Sequence, residues 1–130
     1  MFMKPTTAIL PGYRLPSLTV APMNRATVAL FAGASGDHNP IHIDIDFARR
    51  VGKSDVFAHG VLSMAYLGRL LTRWVPQSRI LRFSVRFSKV VRVGDQLTCQ
   101  GEVAEIRETD GRPSWLASSC RRQISTAKRR

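Results

Sequence analysis

The sequence is short of cysteine, of acidic side chains and of long apolar runs. Cys99 and Cys120 are its only cysteines. Two thiols without metal-ligand spacing make no disulfide framework, so a reducing, cytoplasmic setting is the expectation. The two are expected to face each other on neighbouring strands as small apolar residues. No stretch approaches the ~18 apolar residues of a membrane span. The first residues carry Lys4 but no sustained apolar core, and four prolines fall within the first 22 residues. A signal peptide is therefore not expected. No internal repeat, linker or low-complexity tract interrupts the chain.

Acidic residues number 9 against 20 Lys and Arg, a formal net charge of +11. That excess makes nucleic acid, an anionic membrane or a phosphorylated ligand reasonable partner classes. The distribution is uneven. Acidic residues gather around Asp37 and between Asp95 and Asp110, and none follows. Residues 125–130 read as a solvated basic tail. The length of 130 residues is that of one domain, with a modest core that an oligomer interface would extend.

Residues 1–22 are Pro-rich and read as irregular, with a short extended segment within Tyr13 to Val20. Asn24 is placed to cap a helix whose apolar face is Val28, Leu30 and Phe31, ending within the Gly33 to Pro40 stretch. Asn39-Pro40 breaks any helix there, because Pro lacks a donor and restricts its predecessor. Asp46 is expected to cap a short helix from Phe47 to Val51, closed by Gly52. His59-Gly60 opens the strongest helix, Val61 to Trp74. It is apolar on most sides, with Arg69 and Arg73 as a wet edge, and Pro76 ends it. Ile80 to Val93 changes period: Leu81, Phe83, Val85 and Phe87 alternate with polar residues, as in a half-buried antiparallel strand. Val93-Gly94-Asp95 is a turn. Gln96 to Arg107 reads as a second strand, Thr109-Asp110-Gly111 as a hairpin, and Ser114 to Ile124 as a third strand. The fold class is α+β: a sheet curling around one central helix satisfies this order and these polarities.

The chemistry concentrates in Ser35-Gly36-Asp37-His38-Asn39-Pro40-Ile41-His42. A bend here aims the Asp37 carboxylate and the His42 imidazole at one point, and two such groups on one water make an acid–base pair. By the residues alone, Asp37 is equally suited to accept backbone hydrogen bonds in an Asx turn, and His42 to a structural role. His38 points to no role. Asp37, His38, His42, Asp44 and Asp46 are potential metal ligands. No second His-rich cluster completes a coordination shell, so no metal is expected. Gly60, at a helix start, lets backbone approach a ligand, and the free N–H groups there suit an anion or a polarised carbonyl. Arg82, Arg86, Lys89 and Arg92 form a basic stripe, either a solvated face or a contact for phosphates.

Phe31 through His42, with Ala48 beyond, resembles the signature of the R-specific enoyl-CoA hydratases, or MaoC-like dehydratases, of the hotdog fold. His59-Gly60 before the apolar helix resembles the family's second landmark, and Phe87 to Asp95 its third. The resemblance covers roughly residues 24–105. It implies an antiparallel sheet wrapped around the helix from about Val61 to Trp74, in a single domain over residues 1–130. It implies Asp37 and His42 as catalytic groups and the Gly60 N–H as oxyanion donor. Asn39, Ser35, His59, Arg82 and Arg86 become the candidates for substrate contact, the first two through the loop they shape. Ala34 stands where a larger aliphatic is common, and Gly68 where some members place a serine near the substrate.

The implied activity is reversible hydration of a trans-2-enoyl-CoA to an R-3-hydroxyacyl-CoA, with no cofactor. The implied assembly is a homodimer, or a heteromer in which this chain, with its intact dyad, is the catalytic half. A hotdog acyl-CoA thioesterase and a basic polyanion- or partner-binding module are the alternatives. Neither nucleic acid nor membrane is the expected partner.

Overall fold

Helix formation begins where Asn24 stops being helical. In the computed structural model, which describes residues 9–109, 112–117 and 121–126, Asn24 is extended and its side chain accepts the Thr27 N–H at 2.8 Å. This satisfies one of the donors left open at a helix start. Helix α1 follows, Arg25–Ser35, with Val28 and Ala32 buried four residues apart on one face. It runs through Gly33 and ends within the Gly33 to Pro40 stretch, as the sequence implies. One helical glycine costs only about 1 kcal/mol relative to alanine, too little to stop a capped helix. The helix ends at Gly36, which takes the left-handed conformation at φ 74° and returns its N–H to Ala32.

Asn39-Pro40 does not only break a helix; it starts one. Asn39 accepts the Ile41 N–H at 3.1 Å and Pro40 occupies the first turn of α2, Pro40–Ile43. The missing proline donor costs nothing at that position, because the N–H there has no partner within the helix. Helix α3 is Ile45–Arg50. Its cap is Asp44, not Asp46: the Asp44 carboxylate accepts the N–H groups of Asp46 and Phe47 at 2.9 and 3.0 Å. Asp46 lies in the first turn instead, where its charge suits the helix dipole.

Helix α4 is Gly60–Trp74. Leu62, Ser63, Leu67, Leu70 and Leu71 are buried, and the exposed stripe is Val61, Ala65, Arg69 and Arg73. A short 3-10 turn, Gln77–Arg79, follows Pro76. Among the described residues no helix is long and apolar enough to cross a membrane.

The strand expected over Ile80 to Val93 is not a strand in this chain. Its ties to other segments include the bridge of Arg92 to Phe57 and the Ala58 N–H donating to the Val91 carbonyl at 2.9 Å. Leu81 is 93% exposed, Phe87 51% and Val90 53%. A period of two marks alternate faces but does not fix that a neighbouring strand pairs there.

The strands are short. β1, Leu18–Thr19, pairs antiparallel with β2, Asp95–Gln100, in the register Leu18 to Cys99 and Thr19 to Thr98. β3, Val103–Thr109, pairs antiparallel with β4, Arg112–Ala117, and the Thr109 to Arg112 register closes the expected hairpin. β5, Arg121–Thr126, hydrogen-bonds the other edge of β2. The single strand expected over Gln96 to Arg107 is thus two, parted at Gly101 and Glu102. The Gly101 carbonyl there accepts the Leu15 N–H instead of continuing a ladder. The strand expected over Ser114 to Ile124 is likewise divided into β4 and β5. Cys99 is buried, while Cys120 and residues 127–130 lie outside the described residues.

By contact the chain divides into two compact units: Met1–Thr19, Tyr66–Ser84 and Thr98–Gln123 in one; Val20–Ala65, Val85–Leu97 and Ile124–Arg130 in the other. The first has a core of Leu15, Leu18, Leu67, Leu70, Cys99 and Val103. The core of the second includes Val28, Ala32, Ala48, Val56, Leu62 and Leu97, all buried. A fully buried Val or Leu contributes about 1.5–3 kcal/mol by leaving water.

Within the second unit a bidentate ion pair ties α1 to the segment before α4. Arg25 donates from Nε and Nη2 to Asp55 at 3.1 and 2.7 Å. The Arg25 hydrogen bond, against a partial loss of solvation, holds the Asp55 carboxyl below its ordinary range. Because the folded state favours the ionised form, the pair's contribution is present above the unfolded carboxyl range near pH ~4 and is lost as pH falls through the folded value. Asp55→Asn should cost about 0.2–1 kcal/mol at neutral pH, as exposed pairs do. Urea melts at neutral pH and at pH ~3 should show that difference shrinking on acidification; a difference that grows in acid would contradict the pairing.

Candidate active site

The loop after α1 and the start of α4 meet around three side chains. The Asp37 carboxylate and the imidazoles of His42 and His59 each offer one ligand-type atom, all within 4.8 Å of one another. Asp37 sits in the turn between α1 and α2, His42 in α2, and His59 immediately before α4. Their approach follows from local chemistry. The Gly36 cap reverses the chain, Ser35 Oγ accepts the Asp37 N–H at 3.3 Å, and Asp37 Oδ1 accepts the Asn39 N–H at 3.3 Å. Asn39 in turn caps α2, which carries His42. The Asx turn and the convergence of Asp37 with His42 therefore coexist. One carboxylate has about four lone-pair sites, and the turn takes one.

Each imidazole has an assigned tautomer. His42 Nδ1 lies 2.7 Å from the Phe57 carbonyl oxygen. A carbonyl only accepts, so Nδ1 carries the proton and a neutral His42 keeps a bare Nε2. His59 Nε2 lies 3.1 Å from the Asp37 carbonyl oxygen and donates to it. Its Nδ1 is then the bare nitrogen, buried and without a hydrogen-bond partner among the described residues. The two rings stack at 3.9 Å between centroids with a 32° tilt. Phe57 meets His42 edge-on at 5.0 Å, and Phe31 flanks His59 at 5.1 Å. Asp37 is exposed, His42 is half-buried and His59 is 1% exposed.

Three such groups at these distances raise the question of a metal. Zinc needs imidazole nitrogens at about 2.0–2.1 Å, with the ion lying in both ring planes. Each ring here already commits one nitrogen to a main-chain carbonyl, and the two lie 3.9 Å apart at a 32° tilt. The set suits proton transfer and the holding of a water better than coordination.

Gly60 begins α4, where a first-turn N–H has no acceptor inside the helix. The Phe87 ring lies against it. A Cβ built on Gly60 would sit 3.2 Å from Phe87 Cδ1, tighter than ordinary contact, so a side chain there would displace the ring.

The remaining candidates fall in different places. Ser35 and Asn39 are turned to the loop's own hydrogen bonds. His59 lies beneath the dyad and touches Asp37 and His42 instead of solvent. Arg82 and Arg86 are exposed on the extended segment, and Arg86 precedes Phe87 in sequence. His38 is exposed, and Asp44 and Asp46 serve α3. Two contributors had no signal in the sequence: the Phe57 main-chain carbonyl, which has no residue identity to read, and the Phe87 ring, which belonged to an expected strand.

The sequence profile of the MaoC-like domain family matches residues 11–117. An (R)-specific enoyl-CoA hydratase of Aeromonas caviae is 38% identical over 85 residues, covering 64% of this chain and 63% of that protein. The chain thus spans less than two thirds of that relative's length. The crystal structure of the (R)-hydratase from A. caviae involved in PHA biosynthesis is similar, with TM-score 0.66 and 30% identity over 79% of this chain and 78% of that one. The ChsH1–ChsH2 complex of Mycobacterium tuberculosis is also similar, with TM-score 0.69 and 25% identity over 76% and 78% of the two chains. With the profile covering most of its length and R-hydratases as its structural neighbours, the chain belongs to the MaoC-like domain family and has the hotdog fold, α+β with an antiparallel sheet.

Proposed function

We propose that this protein is a hydro-lyase that reversibly hydrates a trans-2-enoyl-CoA to an R-3-hydroxyacyl-CoA. The observation that carries the reading is the convergence of Asp37 and His42, with His42 Nδ1 tied to the Phe57 carbonyl. That hydrogen bond leaves Nε2 as a base. Asp37 and His42 hold one water. As its oxygen bonds the β-carbon, a proton passes to His42 Nε2 and the C=C electrons move toward the thioester oxygen. The dyad then delivers a proton to the α-carbon, so it ends as it began and the net addition is H and OH. The enolate-like oxygen meets the Gly60 N–H, a fixed donor at the positive end of α4. The half-exposed Phe87 ring beside it keeps water from that side. The thioester supplies the activation and no cofactor takes part. The R configuration is that named for the Aeromonas relative.

The coenzyme A phosphates find Arg86 and Arg82 on the exposed stretch before Lys89. Neither arginine has an acidic ion-pair partner among the described residues. The same stretch supports assembly: extended backbone outside any ladder, with Leu81 93% exposed, is what a second hotdog subunit covers. A homodimer is the assembly we favour, with a heteromer, as in the ChsH1–ChsH2 complex, the variant form. The working compartment is the cytoplasm.

Loss of the enone absorbance of crotonyl-CoA and longer enoyl-CoAs on adding protein tests the reaction. Asp37→Asn and His42→Ala should each lower turnover about 100- to 10,000-fold while keeping the far-UV spectrum. Near-wild-type hydration by either, or release of free thiol in place of hydration, would count against the reading.

Sedimentation should find a dimer or larger species at assay concentrations. A monomer with full activity would contradict the assembly.

A further inference from the structure

His59 is the buried group that the proposed reaction does not use. It is 1% exposed, so it is placed to act on its neighbours more than on a substrate. Its Nε2–H donates to the Asp37 main-chain carbonyl at 3.1 Å, and its ring face lies 3.9 Å from that of His42. One ring thus touches both members of the dyad, through different atoms. Its remaining nitrogen, Nδ1, is buried with no hydrogen-bond partner among the described residues. A buried polar atom left unpaired carries a desolvation cost, and the site retains it.

We propose that His59 is the positioning residue of the dyad, setting Asp37 through its Nε2–H and His42 through its stacked ring. This rests on the reading of Asp37 and His42 as the reacting groups. Phe31 on α1 also contacts the ring, at 5.1 Å between centroids. Asp37 and His42 are the titratable groups in contact with it. The neutral Nε2–H form is the one that works. A proton on Nδ1 would set a positive charge against the ring of His42, 3.9 Å away, which must itself gain a proton during the reaction. The uncharged stack leaves the charge change to His42 alone.

Two substitutions separate the two contacts. His59→Gln keeps a donor for the Asp37 carbonyl and loses the stacked ring. His59→Phe keeps the ring and loses the donor. His59→Ala loses both. A small misplacement of reacting groups costs on the order of 100-fold. His59→Ala should therefore lower kcat by about 10- to 100-fold, with KM for crotonyl-CoA within about twofold. The Gln and Phe variants should each recover part of that loss, and the pH–rate profile should move in the variants lacking the donor or the stack. Imidazole 15N–1H spectra of the wild type provide a readout that needs neither activity nor a folded variant: His59 should carry its proton on Nε2 and His42 on Nδ1. A His59 proton on Nδ1 overturns the proposal. So do Gln and Phe variants that both keep wild-type kcat and pH profile, and so do kcat losses that only follow a falling melting temperature. If the wild type hydrates no enoyl-CoA while the His42 resonances still move in the Gln and Phe variants, the reaction is at fault and the coupling stands. If the wild type is active and those resonances stay in place, the coupling is at fault.

Discussion

The 2.7 Å hydrogen bond from His42 Nδ1 to the Phe57 carbonyl is the interaction on which the site depends. It settles which nitrogen holds the proton and which is bare, and it fixes the direction in which the bare one points. A free imidazole exchanges tautomers and turns about its bonds. This one is held on one side by a carbonyl, on one face by His59 and at an edge by Phe57. In the proposed reaction, preorganisation of this kind places a base before the substrate arrives, so little reorganisation is left for the transition state.

The fold supplies that hydrogen bond through three short-range devices and one long-range one. Gly36 ends α1, Asn39 opens α2, and Asp44 opens α3, so three helices follow within a few residues of each other and His42 rides on the middle one. Phe57 comes from further along the chain. It is steadied by the bridge to Arg92 and, two residues before it, by the Arg25 and Asp55 pair. The pair is exposed and contributes little energy by itself. Its part is to hold the start of α1 to the segment that leads into α4.

Much of this was legible from residues, because capping and turn chemistry are local. Asn24 at the start of α1, Gly60 at the start of α4, the Val93-Gly94-Asp95 turn and the hairpin at Thr109 to Arg112 all follow from side chains acting on nearby backbone. Errors arose where one residue type serves two purposes. Pro40 reads as a breaker, yet at a first helical turn it is a favoured starter. Asp44 and Asp46 are both able to cap, and only the path of the chain decides between them. The alternation of Leu81 to Phe87 reads as a half-buried strand, yet Leu81 and Phe87 are exposed and the segment pairs in no ladder, because a period of two does not fix that a strand pairs there. The Asp37 to His42 motif was visible as a motif. The two contacts that organise it, a main-chain carbonyl of Phe57 and the face of His59, depend on three-dimensional placement and leave no pattern in the sequence.

The central claim is that Asp37 and His42 act together on one water, and the Asp37→Asn, His42→Ala double variant tests it most directly. Groups that act as a unit are not additive: once one is lost, removing the other costs little more. Turnover of crotonyl-CoA by the double variant should match that of the slower single variant within a few-fold. Losses that multiply, so that the double variant is slower by the product of the two single effects, would show the groups working independently and would contradict the account.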